Sequence, residues 1–540
     1  MRTNCFIYLL LLLFAVTGCR DEVENISREA FPDLLFEQYM LQNFDTDADG
    51  LISLREAKSV RNIDCSDRRI TSLKGIQYFT ALETLNCSRN PINALDLTQN
   101  TALVLLTCDG CEFESIDLSK NTALNCLNCS ENYYLKSLNL SNNTNLLVLY
   151  CNDNQNLASL NLDGNTNLQV LSFNRNPTIS SLNLSRNTNL RELQCIYNRH
   201  GVNLTLTGLT YRSLEKLILM YVKIGAIDTG VSPLKELHCE MDVLPASIDL
   251  SGCDKLEELS LKGEFSYEST NINLTGCTAL NTIVISGSDK SFDASPCTSL
   301  RKLYYRYGDV DISKNTELEE VDVRNILGDI TNLRKLKTLR FWMIKNVEML
   351  DLSNQTMLEN LDCAVLDIPM DLSRCKALRT LYIRDPYFDG AATVDLKNLP
   401  ALEDVRADYL RPQLLLNIEN CPALKIIACQ RLATLNVSGC ASLEEATFRC
   451  EALNIDNCPN IINLKCSDSP LKTLYLDTFT KLEQLSCVNC SLTALDLRKN
   501  KKVNVLMCYD NPNLKYIDIT RGHSIPRNNI GYATFRYWDE

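Results

Sequence analysis

Residues 45 to 56 read Asp-Thr-Asp-Ala-Asp-Gly-Leu-Ile-Ser-Leu-Arg-Glu. Alternating carboxylates, a glycine and a closing glutamate suit a hard cation that prefers oxygen ligands. Asp45, Asp47 and Asp49 would supply side-chain oxygens, Gly50 the sharp turn and Leu51 a backbone carbonyl. Ser53 would reach the ion directly or through water, and Glu56 would close the site with two oxygens. The expected cofactor is calcium, held structurally. An acidic loop that keeps its shape without an ion is the alternative. The chain has one such loop, so the expected affinity is modest, about 10⁻⁴ to 10⁻³ M.

The 25 cysteines offer further chemistry. Cys108-x2-Cys111 and Cys126-x2-Cys129 imitate a zinc ribbon, and His238-Cys239 invites a nucleophile reading. Both dissolve once the period of the chain is read. Cys87, Cys108, Cys129 and Cys151 lie 21, 21 and 22 residues apart, each ending an LxxLxC stretch. The same slot holds Phe173, Cys195, Cys239, Leu261, Ile285, Val323, Phe341 and Cys363, and later Cys429, Cys466, Cys487 and Cys508. Alternation along a strand sends His238 out and Cys239 in, and puts Cys126 on the outward side. With three histidines in the chain there is little to build a triad from. No enzyme activity is expected.

A second signature recurs in each period, as at Leu95-Asp96-Leu97 and Ile116-Asp117-Leu118, followed by Asn121-Thr122 or by Gly252-Cys253. Each period of about 21 residues is thus a coil with two extended segments and two turns, which buries its apolar side only when stacked on its neighbours. The fold class is a β-rich solenoid with a parallel sheet on one face. In the inner slot cysteine acts as a small hydrophobe. Neighbouring thiols at about 4.8 Å are in reach of one another but poorly oriented for disulfides, so free thiols are expected.

These residues resemble the leucine-rich-repeat superfamily, and cysteine in the third apolar slot resembles the cysteine-ladder internalins, which are surface adhesins. The resemblance covers residues from about 60 to 520, with slot spacings of about 18 to 24 in the middle. The calcium loop resembles an EF-hand, with Phe31, Leu34, Leu35, Tyr39 and Leu41 on the entering helix and Leu54 to Val60 on the exiting one. An apolar run from Phe6 to Val16 ends in Val16-Thr17-Gly18-Cys19, which resembles a bacterial lipobox with Cys19 as the lipidated residue. The expected organisation is a signal peptide over 1–18, an acidic tether over 19–30, a helical EF-hand-like cap over 31–62, the solenoid over 63–520 and a C-terminal cap over 521–540. Phe535, Tyr537 and Trp538 are expected to cover the last coil.

A net charge of −13 speaks against nucleic acid, whose affinity comes from neutralised phosphates. The outward column of the strands is mostly Asn, Ser, Thr and Gln from 82 to 200. Between 300 and 410 it changes to Tyr304, Arg306, Tyr307, Arg340 and Trp342, then Tyr382, Arg384, Arg406 and Tyr409. Tyr, Trp and Arg dominate interface hot spots. The expected function is that of a monomeric binding module or adhesin, anchored by lipid at the bacterial outer membrane and facing outward. It would take a protein or glycan on the concave strand face. The alternatives are a structural envelope protein and a non-catalytic accessory subunit of a surface enzyme or glycan-uptake system.

Overall fold

In the computed structural model, residues 24–539 are described, apart from 197–203, 208–211, 225, 231, 264–269, 287–290, 346–349, 365–369, 385–392 and 409–413. Cys19 and Tyr409 fall outside the described residues. The chain divides into two units, residues up to Cys253 and residues from Asp254 onward.

The first unit begins with a small cap. Helix Leu34–Phe44 starts on Asp33, whose carboxylate accepts hydrogen bonds from the backbone N–H of Leu35 and Phe36. Helix Leu54–Ser59 starts with a reciprocal capping box between Ser53 and Glu56. Because the first helix begins after Phe31, its inward stripe is Phe36, Tyr39 and Met40 at helical spacing. Leu34 and Leu35, expected on that stripe, are instead exposed. Phe31 lies against Gly75, where an added Cβ would clash with its ring. Strand Asn25–Ile26 pairs antiparallel with Ile52–Ser53, so the segment read as tether contributes backbone to the cap.

Behind the cap, one parallel sheet runs through strands Asn62–Asp64, Thr84–Asn86, Leu105–Thr107, Cys126–Asn128, Val148–Tyr150, Val170–Ser172 and Glu192–Ile196, and continues to Glu236–Met241. Leu85, Leu106, Leu127 and Leu149 share one register row and are fully buried, as are the slot residues Cys87, Cys108 and Cys151. Two residues past each slot the chain turns through a left-handed conformation, at Arg89, Gly110, Glu131, Asp153 and Arg175.

The second unit repeats the pattern from Glu258–Gly263 onward, with every described strand of its main face parallel to the next. The irregular spacings noted in the sequence are absorbed outside the slots. Ile285, Tyr305 and Val323 pair in one row, and Phe341 pairs with Cys363. Some strands run past the slot through an irregularity, as in Lys302–Asp311 between Tyr305 and Asp309. All 23 described cysteines are free thiols, and all but Cys126 are buried.

The C-terminal segment departs from expectation. Strand Thr534–Trp538 adds in parallel to Tyr516–Thr520, and the buried residues that close the last coil are Ile525, Ile530 and Ala533. Tyr537 and Trp538 are exposed. The Trp538 indole donates to Asp518 at 2.9 Å, beneath the guanidinium groups of Arg498 and Arg536. An indole N–H needs a polar partner, and here the partner lies on the surface.

Candidate functional site

Strands Lys302–Asp311, Glu320–Leu327, Thr338–Phe341, Asn360–Ala364, Thr380–Arg384 and Asp404–Asp408 lie side by side in the second unit. Their register puts Tyr304, Asp322, Arg340, Asp362, Tyr382 and Arg406 in one outward row. Each occupies the position between the inner leucine-type residue and the slot, so period-2 alternation turns it away from the core. Arg306, Arg324, Trp342 and Arg384 lie two residues further along their strands.

The two rows enclose an open groove of about 600 Å³ whose lining includes Arg306, Arg324, Arg340, Arg384, Asp322 and Asp362. Tyr307, Phe341 and Trp342 complete it. Four guanidinium groups against two carboxylates leave an excess of two positive charges in a chain of net charge −13.

The ion pairs are uneven. Asp322 accepts from Arg306 Nε at 3.0 Å and Nη2 at 2.5 Å, a bidentate fork. Arg340 approaches Asp322 only at 3.8 Å. Arg324 reaches the Tyr307 carbonyl at 3.4 Å. Arg384 donates to Asp362 at 2.6 Å, and its guanidinium carbon sits 4.9 Å from the Tyr382 ring centroid and 5.8 Å from that of Trp342. The Arg384 Nε is buried without a hydrogen-bond partner. Burial pushes the Asp362 carboxyl above the usual carboxylate range, against the pull of Arg384.

Of the residues read from the sequence, the fold brings Arg306, Tyr307, Arg340, Trp342 and Arg384 to the groove. Tyr304 stands at the edge of the row, its hydroxyl donating to Glu320 at 2.6 Å, which raises that hydroxyl to about 12. Arg406 pairs with Asp404 in its own strand. Asp322, Arg324 and Asp362 are not among the residues read from the sequence: the two acids lie outside the aromatic and arginine types that mark hot spots, and Arg324 was missed although it directly follows the Val323 slot. Their signal was present: Val321-Asp322-Val323 and Leu361-Asp362-Cys363 place acids in the same outward position as Arg340.

The acidic loop forms a second candidate. Carboxylate oxygens of Asp45, Asp47 and Asp49 lie within 4.8 Å of one another. Asp45 Oδ2 accepts from the Gly50 N–H at 2.9 Å, while its Oδ1 is buried without a partner. Gly50 takes a positive φ of 81°, and the Leu51 N–H donates to Asp49. Glu56 takes four hydrogen bonds, from the backbone and side chains of Thr46 and Ser53. Burial pushes its carboxyl up, but those donors prevail and hold it at about 2.

No family model matches the chain. Over 71 residues it is 35% identical to internalin J of Listeria monocytogenes, a stretch that spans 13% of this chain and 8% of that protein. Among solved structures it is similar to the functional domain of InlJ from the same species, which includes a cysteine ladder, at 20% identity, with 92% of this chain and 83% of that one covered and a TM-score of 0.26. It is also similar to YopM from Yersinia enterocolitica, at 14% identity over 99% of this chain and 100% of that one, with a TM-score of 0.44. These likenesses concern the fold alone, a parallel β-solenoid.

Proposed function

We propose that this protein is a lipid-anchored surface module that binds a protein or glycan in the groove between Arg306 and Arg384. The observation that carries the reading is the groove itself: arginines and aromatic rings gathered on one stretch of strand face, where the outward row from Asn86 to Gln194 is mostly amides and hydroxyls. Residues of these types concentrate binding energy when a partner excludes water around them. The backbone beneath is already paired strand to strand, so the face can present them without moving.

The test is a screen of the chain, begun just after Cys19, against glycan and host-protein arrays in calcium, beside an Arg340→Ala/Trp342→Ala variant. A hit that the variant loses supports the groove. A hit that the variant keeps removes it.

In the same reading Cys19 carries the lipid that holds the chain at the outer membrane, outside the cell. Cys19→Ala should then release the protein from the membrane fraction. Calcium fits the cap, because three carboxylates converge there and Asp45 has an unused buried oxygen. Asp45, Asp47 and Asp49 would hold the ion, with the Leu51 carbonyl, Ser53 and Glu56 as the remaining expected ligands. It would act by rigidifying the cap. A melting temperature that does not respond to calcium, or that responds equally in Asp45→Ala/Asp47→Ala, would count against the ion.

A further inference from the structure

We infer that the groove takes an acidic carbohydrate, with Arg324 and Arg340 as the anion clamp and Trp342 as the stacking surface; this deepens the binding reading above and rests on it. The guanidinium groups are not equally engaged. Arg306 spends its fork on Asp322, and Arg384 is held by Asp362 and the two rings. Arg324 and Arg340 are held more loosely: Arg324 reaches a carbonyl at 3.4 Å, and Arg340, opposite Asp322 and Asp362 in the register, approaches Asp322 at 3.8 Å with half of its side chain exposed.

These two arginines are diagonal neighbours. Asp322 pairs with Arg340 in the sheet register, and Arg324 follows two residues after Asp322. Diagonal neighbours on a sheet lie about 7–8 Å apart, within reach of long side chains converging on one anion. Trp342 is two residues beyond Arg340, is 45% exposed, and its backbone N–H is bound to the Arg324 carbonyl at 2.8 Å. The clamp and the indole are therefore fixed relative to each other by the sheet.

A planar fork of N–H donors matches a carboxylate in two parallel hydrogen bonds. The indole offers a flat apolar face beside it. Asp322 and Asp362 supply acceptors for hydroxyl groups. A sugar ring bearing an acid meets all three demands at once, with an apolar C–H face, hydroxyl donors and an anionic oxygen pair. An acidic peptide fits less well. The groove is the face of a sheet whose backbone groups are already paired, so an extended peptide finds no edge to which its own N–H and C=O groups could add. The groove volume of about 600 Å³ lies within the range of small-ligand sites.

The experiment is calorimetric titration of the full chain in detergent with trigalacturonate, its methyl ester, a sulfated galactoside and triglutamate. Trigalacturonate should bind, with the ester weaker by about tenfold or more, the loss of roughly one charge-assisted hydrogen bond. Arg324→Ala/Arg340→Ala should lose binding by a similar factor at unchanged melting temperature, and Arg324→Lys/Arg340→Lys should recover part of it, since charge without the fork is retained. Binding of the sulfated galactoside as well would place the anion at sulfate or carboxylate alike within the same proposal. Equal binding of the ester, or triglutamate binding as tightly as trigalacturonate, overturns it. If no acidic sugar binds while an array hit still depends on Arg340 and Trp342, this inference falls and the groove stands. If the array hit survives that variant, both fall.

Discussion

The two units solve the same packing problem with different side chains. In the first, the column behind the second turn is Asn100, Asn121, Asn143, Asn165 and Asn187, each fully or almost fully buried. Each side-chain amide donates to two carbonyls: Asn143, for instance, to Leu118 at 3.1 Å and Asn121 at 2.9 Å. In much of the second unit cysteine holds the equivalent place. The thiols of Cys375, Cys421, Cys440 and Cys458 point to the carbonyls of Leu352, Leu396, Ile418 and Val437. An amide brings two good donors, a thiol one weak one. The outward rows differ as much. One reads Asn86, Thr107, Asn128, Tyr150, Ser172 and Gln194; the other reads Tyr304, Asp322, Arg340, Asp362, Tyr382 and Arg406. The inner positions hold the coil together, so the outer row can change its chemistry without changing the fold.

What both units share should give the largest effect. Burial raises the thiols of Cys65, Cys239 and Cys363 to about 12 from an ordinary value of 9. The unfolded chain then ionises first as pH rises. This stabilisation is full below 9 and is lost between 9 and 12, at about 1.4 kcal/mol per pH unit for each such thiol. Melting temperature should fall steeply above pH 9, and maleimide should not label these cysteines at pH 8 without denaturant. Labelling of the native protein would show the ladder to be open.

The buried column offers the sharper contrast. Asn143→Ala leaves two carbonyls without donors and should cost about 2–4 kcal/mol in urea unfolding. Cys421→Ala, which removes one weak donor, should cost about 1–2 kcal/mol. Equal costs would mean that the two columns differ in name only.

Effects on the outer row should be smaller. Asp322→Ala removes a buried carboxylate but leaves Arg306 and Arg340 in water, so it should cost about 1 kcal/mol in the same assay. Arg406→Ala breaks a surface pair with Asp404 and should cost less than about 0.5 kcal/mol. A loss above about 2 kcal/mol from either would make the row part of the framework rather than a presented face.

The cap shows how local signals are read and misread. The alternation of Asp45, Asp47 and Asp49 is a local pattern, and the three carboxylates do converge. Leu34 and Leu35 are apolar and so suggest the inward stripe, but the helix that starts on Asp33 buries Phe36, Tyr39 and Met40 and leaves both leucines exposed. Trp538 was read as a core cover on hydrophobicity alone, and its indole N–H settled on Asp518 instead.

By itself the sequence determined the coil. The spacing of leucines and cysteines and the two-residue alternation of faces are properties of neighbouring residues, so the slots, the buried thiols and the solvent-facing positions are legible in the chain itself. Only the tertiary structure decided which outward residues meet. Arg306 and Asp322 are 16 residues apart, and Asp362 and Arg384 are 22 apart. Their pairing depends on the register between strands, which the changing coil lengths of this region set one coil at a time. In that register Arg306 and Arg384 stand diagonal to Asp322 and Asp362 and engage their oxygens closely, whereas Arg340, directly opposite both acids, approaches Asp322 only at 3.8 Å, because a carboxylate already filled by one guanidinium fork has little left for a second.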